Sequence, residues 1–112
     1  MSELRANIYL DCGLTASEIA LACASRIDGV LRPLDYVEGR NTTISVRRNP
    51  DHDPSYEFGR FRYFLEVDPR DDASREGVIA EVSSILHWAR EHGFGCVVAS
   101  GYEEELDTGV SG

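Results

Sequence analysis

The stretch Arg75–Ala99, REGVIAEVSSILHWAREHGFGCVVA, constrains the fold more than any other part of the chain. Val78, Ile79, Val82, Ile85, Leu86 and Ala89 recur at helical spacing and define one apolar face of a helix with about 3.6 residues per turn. Glu76, Ser83, Ser84, His87, Arg90 and Glu91 fall on the opposite side and are expected to meet water. Gly93 stands where a left-handed residue closes a helix, and Cys96-Val97-Val98-Ala99 then has the length and composition of a buried strand. A long helix that feeds straight into a strand calls for a sheet to pack on.

The rest of the chain supplies that sheet. Asn7-Ile8-Tyr9-Leu10-Asp11 alternates apolar and polar residues, the pattern of a half-buried strand, and Cys12-Gly13 turns the chain. Thr15 with Glu18 three residues later forms a capping box, and Leu14 with Ile19 has staple spacing, so a helix is predicted from there to about Ile27. Its stripe is Ile19, Cys23 and Ile27, and Asp28-Gly29 ends it. Leu34 to Glu38 reads as a short extra strand leading to a turn at Gly39-Arg40-Asn41. Thr42–Arg47 and Arg60–Val67 read as strands, the second with Phe61, Tyr63, Leu65 and Val67 on one side. Between them, NPDHDPSYEFG (49–59) reads as a loop; Asp71 or Asp72 is a candidate cap for the long helix. The final residues, about 107–112, are expected to be a disordered tail.

The element order is β-α-β-β-α-β with an extra strand at 34–38. Right-handed crossovers turn that order into a single α+β domain of ferredoxin-like, split β-α-β type, an antiparallel sheet with both helices on one face. Its two central strands would then show Asn7, Tyr9, Asp11, Arg62, Phe64 and Glu66 on the other face, joined by Thr43, Ser45 and Arg47. Such a face is either wet, with Arg62 and Glu66 paired, or covered by a homodimer partner or another protein, since Tyr and Phe are enriched in interface cores.

Charge narrows the partners. Twenty acidic against 11 basic residues give a net charge of −9, which repels nucleic acid and anionic membranes and attracts basic surfaces. RNA-binding domains of similar topology stack bases on sheet aromatics, but the glycine-aromatic motif they need is missing here. No apolar run approaches the roughly 20 residues of a membrane-spanning helix, and MSELRANIYL does not read as a signal peptide, so a cytoplasmic protein is expected. The three cysteines, Cys12, Cys23 and Cys96, are widely spaced in apolar sequence and read as reduced core residues.

No catalytic motif stands out, and no cofactor is expected. Asp51-His52-Asp53 with Glu57 is the nearest approach to a metal cluster, but adjacent residues chelate poorly together and the prolines explain the turn. His87 and His92 do not share a helix face, and His92 suits the helix C-terminus. Cys12, at a helix start, is the best-placed nucleophile but has no histidine near it in sequence. The run Glu103-Glu104-Glu105-Leu106-Asp107 after Tyr102 is different: it is a candidate docking surface for Lys and Arg, with Tyr102 as anchor.

Asn7–Asp11, Ile44-Ser45-Val46-Arg47-Arg48-Asn49, Phe64–Pro69 and the ending Gly101-Tyr102-Glu103-Glu104-Glu105-Leu106 together give the chain its resemblance. It resembles a broad group of small acidic bacterial proteins of unknown activity, which in turn resemble immunity proteins of bacterial toxin systems. In similar proteins a proline often follows the acidic-leucine pair, where Asp107 stands here. The resemblance implies a non-enzymatic protein that binds and neutralises a basic toxin domain through Tyr102, Glu103, Glu104, Glu105 and Asp107, with Asp51, Asp53 and Glu57 as a second patch. A competing expectation is a dimeric α+β barrel, a ligand binder or small enzyme, with a pocket lined by Tyr9, Arg62 and Phe64; a third is a structural subunit of a larger assembly.

Overall fold

The computed structural model describes residues 4–49, 61–102 and 106. Its elements run β1 (Ala6–Asp11), α1 (Ala16–Arg26), β2 (Val30–Arg32), β3 (Tyr36–Glu38), β4 (Thr42–Arg48), β5 (Tyr63–Pro69), α2 (Arg75–Glu91) and β6 (Gly95–Ser100). The strands form one sheet in the order β2-β3-β4-β5-β1-β6, and every neighbouring pair is antiparallel. The chain is thus α+β, a six-stranded antiparallel sheet with two helices. The four-strand split β-α-β order expected from the sequence is not what the six strands give, because a β2–β3 hairpin extends the sheet beyond β4.

One face of the sheet makes the core. Ile8 lies opposite Leu65, and Leu10 opposite Tyr63; Ile44 meets Val67, and Val46 meets Leu65. These residues form a single buried cluster with Ile19, Ala20 and Cys23 of α1 and Val78, Val82, Ile85, Leu86 and Ala89 of α2. A period of two in the strands and of about 3.6 in the helices therefore converge on the same interior. Leu65→Ala would leave a cavity there costing about 2–5 kcal/mol.

Local chemistry sets the helix ends. The Thr15 hydroxyl accepts from the Glu18 N–H at 3.2 Å, while Glu18 accepts from the Thr15 N–H at 2.9 Å, so the expected capping box is formed. The cap of α2 is Ser74, whose Oγ accepts from the Gly77 N–H at 2.9 Å, rather than Asp71 or Asp72. Those aspartates sit one turn too early, because the Ala73 N–H donates to the Arg70 carbonyl and spends residues 70–73 on a turn. At the other end Gly93 takes φ +72° and the Phe94 N–H closes on the Ala89 carbonyl, as its glycine predicted.

Three strand readings need correction. Leu34 and Asp35 are not strand: both have positive φ, 64° and 56°, and form the hairpin tip, so β3 begins at Tyr36. Phe61 precedes β5 and stands outside the core cluster; it is buried against Tyr9, with ring centroids 6.3 Å apart, because the backbone bends at Arg62 before pairing begins. β6 is not a fully buried strand but one of the sheet's two edge strands, with Gly95, Val97 and Ala99 exposed on the face away from the helices. On α2, Ser83 is buried rather than solvated.

A buried carboxylate ties the hairpin edge to α2. Glu81 Oε2 accepts from the backbone N–H and Nδ2 of Asn41 at 3.1 and 3.0 Å, and Oε1 accepts from the Thr42 hydroxyl at 2.6 Å. Arg70 reinforces the same turn, donating to the Gly39 carbonyl at 3.1 Å. The packing leaves no room for side chains: a Cβ on Gly77 would lie 2.5 Å from the Asn41 amide, and one on Gly39 would lie 2.7 Å from Ile27.

Candidate functional site

The register brings the exits of β5 and β6 to one end of the sheet, since Ala6 pairs with both Val67 and Ser100. Asp68 there accepts from Arg5 Nε at 2.6 Å, and exposed Asp71, Asp72 and Glu76 follow around the start of α2. Tyr102 emerges at the same end but turns inward. It is only 2% exposed, belongs to the core cluster, and donates its hydroxyl to the Leu4 carbonyl at 2.9 Å. Burial pushes its phenol up to about 12, against a smaller opposing effect of Arg75. Tyr102 is therefore a core residue, not the exposed anchor expected from the sequence.

Glu103, Glu104, Glu105 and Asp107 lie outside the described residues, as do Asp51, Asp53 and Glu57 and the expected tail. Their described neighbours still carry information. Leu106 is buried in the core cluster, as Tyr102 is, so the three glutamates are bounded on both sides by core residues. Asn49 and Phe61, which flank the other acidic stretch, lie near the Leu10–Tyr63 end of the sheet, opposite Tyr102.

The face away from the helices carries Tyr9 and Phe64, with ring centroids 6.1 Å apart, beside half-buried Asn7 and exposed Val97. Glu66 on this face is paired with Arg47, not with Arg62. The reason is register: Ser45 lies opposite Glu66 and Arg47 opposite Phe64, so Arg47 is the diagonal neighbour of Glu66, whereas Arg62 precedes the strand.

Among the described residues, the cysteines and His92 considered for chemistry have structural roles, while His52 lies outside the described residues. Burial raises the thiols of Cys12 and Cys96, and pushes that of Cys23 up to about 12, so all three favour the unreactive protonated form. His92 caps α2, with Nδ1 2.9 Å from the Trp88 carbonyl and its ring stacked on Phe94 at 5.6 Å. Glu81, a buried acid the sequence reading passed over, already accepts three hydrogen bonds. Among the described residues no group of three His, Cys, Asp or Glu side chains is placed to hold a metal ion. Among the described residues, too, no helix is long and apolar enough to cross a membrane.

Comparison with protein-family models, curated proteins and solved structures found no match. The functional reading therefore rests on the chain's own charge and surfaces.

Proposed function

We propose that the chain is a non-enzymatic binding protein of the immunity type, which neutralises a basic toxin domain by covering it with an acidic surface. The observation that carries this reading is the acidic end of the sheet. Asp71, Asp72 and Glu76 are exposed there beside Arg75, and Glu103–Glu105 come directly after Tyr102 in sequence. The ion pairs reinforce it. Arg5, Arg26, Arg32, Arg47 and Arg70 are engaged by acids of the same chain, which leaves an excess of carboxylates toward solvent. A surface of that sign steers a basic partner and makes association fast and salt-sensitive. The β6-β1-β5-β4 part of the sheet supports a ferredoxin-like split β-α-β core carrying an added hairpin.

The test uses the product of the neighbouring reading frame, which this reading requires to be a basic toxin domain. Its binding to the wild-type chain is measured by titration calorimetry at low and high salt, then repeated with Glu103, Glu104 and Glu105 changed to Lys. Weaker binding by the variant and a flatter salt dependence are expected. Unchanged affinity and salt dependence, or a neighbouring reading frame of purely metabolic character, would remove the proposal.

The Tyr9–Phe64 pair favours one second reading, a dimer whose sheets face each other around a ligand pocket. A chain that stays monomeric with Tyr9 and Phe64 fully open to solvent quenchers eliminates it.

A further inference from the structure

The β2–β3 hairpin holds an arrangement that stability does not explain. Leu34, at its tip, is 95% exposed and sits at φ +64°, a left-handed conformation that bulky side chains avoid. Val30 and Leu31, just before it, are 52% and 44% exposed. A leucine so placed buries nothing in its own chain and strains the backbone, so folding alone gives no reason for it. The tip is nevertheless braced. The Ser17 hydroxyl donates to Asp35 at 2.9 Å, the Val46 N–H donates to the Asp35 carbonyl at 3.1 Å, and Arg32 pairs with Glu38 across the hairpin. Beside the leucine lies a groove of about 370 Å³, lined by Pro33, Leu34, Tyr36, Ser45, Val46 and Arg47. A projecting apolar side chain and a recess with mixed walls, apolar at Pro33, Tyr36 and Val46 and polar at Ser45 and Arg47, thus share one patch.

We propose that this hairpin is a self-association surface, in which two copies meet about a two-fold axis and each inserts Leu34 into the other's groove. An isologous contact needs a patch complementary to itself, and a knob beside a hole meets that requirement. Charge selects a second copy over a basic partner. Arg32 and Arg47 nearly cancel Asp35, Glu38 and Glu66 around the patch, whereas the whole chain carries −9, so like-charged copies repel little here. Strand addition is not the mode of contact: β2 has three residues, one of them Arg32, and Pro33 follows, features that blunt a sheet edge. Side chains make the interface. The braced tip presents Leu34 in one conformation, which lowers the entropy lost on docking.

Sedimentation velocity on the full chain, from micromolar to millimolar concentration, tests the proposal. The wild type is expected to show a monomer–dimer equilibrium that strengthens as added salt screens the net charge. Leu34→Asp should weaken the dimer by about 30-fold or more, the loss expected for a central anchor. Leu34→Gly should also dissociate it while keeping the circular dichroism and a denaturant midpoint at least equal to wild type, which separates lost contact from lost fold. Leu21→Asp, an equally conspicuous exposed leucine on α1, should leave the dimer intact. A wild type that stays monomeric throughout overturns the proposal, as does a dimer that survives Leu34→Asp or one that Leu21→Asp also abolishes. A dimer surviving Leu34→Asp would leave the facing-sheet reading standing, so the two outcomes are distinguishable.

Discussion

Leu34 sets the sign of one prediction at the scale of single residues. Relieving a left-handed non-glycine residue gains about 1–2 kcal/mol, while the freer unfolded chain of a glycine variant gives back about 0.4–1 kcal/mol. At 95% exposure there is no burial to lose. Leu34→Gly is therefore expected to stabilise the monomer by about 0.5–1 kcal/mol in urea unfolding. Gly77 runs the other way. In an exposed helix Gly→Ala gains about 1 kcal/mol, but here the new Cβ would lie 2.5 Å from the Asn41 amide that bonds Glu81. Gly77→Ala should destabilise by about 1–3 kcal/mol, and Glu81→Ala by about 3 kcal/mol, because it strands the buried hydroxyl of Thr42 and the part-buried donors of Asn41. Both are read from denaturant midpoints.

At the scale of elements, what was legible in the sequence is what local contacts decide. The Thr15–Glu18 box and the Gly93 stop depend on residues a few positions apart, and both form as read. The start of α2 at Arg75 matches the sequence, but its cap does not, because the turn at 70–73 moves that task from the two aspartates onto Ser74. Ser74→Ala is accordingly expected to cost about 1 kcal/mol, and Asp71→Ala or Asp72→Ala to stay within about 0.5 kcal/mol, in chemical denaturation. The β2–β3 hairpin was half legible. Its first strand has only three residues, all exposed, so it carries no alternation to detect, and Leu34 contradicts its own conformational preference. Glu81 was illegible for a different reason: its partners Asn41 and Thr42 lie some forty positions away, and only the folded sheet brings them together. Of the candidate site, the sequence gives the acidic run, but Tyr102 reads as surface there because nothing local reveals its bond to Leu4.

For the whole molecule, alkaline pH is the telling perturbation. Cys23, at 9.0 in the unfolded chain, is pushed up to about 12, and Tyr102 rises from 10.0 to about 12, both by burial. Groups raised on folding keep the native state fully stabilised below their unfolded values and lose that contribution as pH rises toward the folded ones. Stability should hold below pH 9 and fall from there to about 12; Cys23→Ala should reduce the first part of the decline, to which the raised thiols of Cys12 and Cys96 also contribute. Unfolding midpoints across that range check it. The sheet order carries one more consequence. β1 lies between β5 and β6, so the earliest of these six strands is bracketed by strands made much later. Until β6 arrives, Ile8 and Leu10 have no finished sheet to belong to. Such long-range closure slows folding and leaves the nascent chain dependent on protection from aggregation while synthesis is completed.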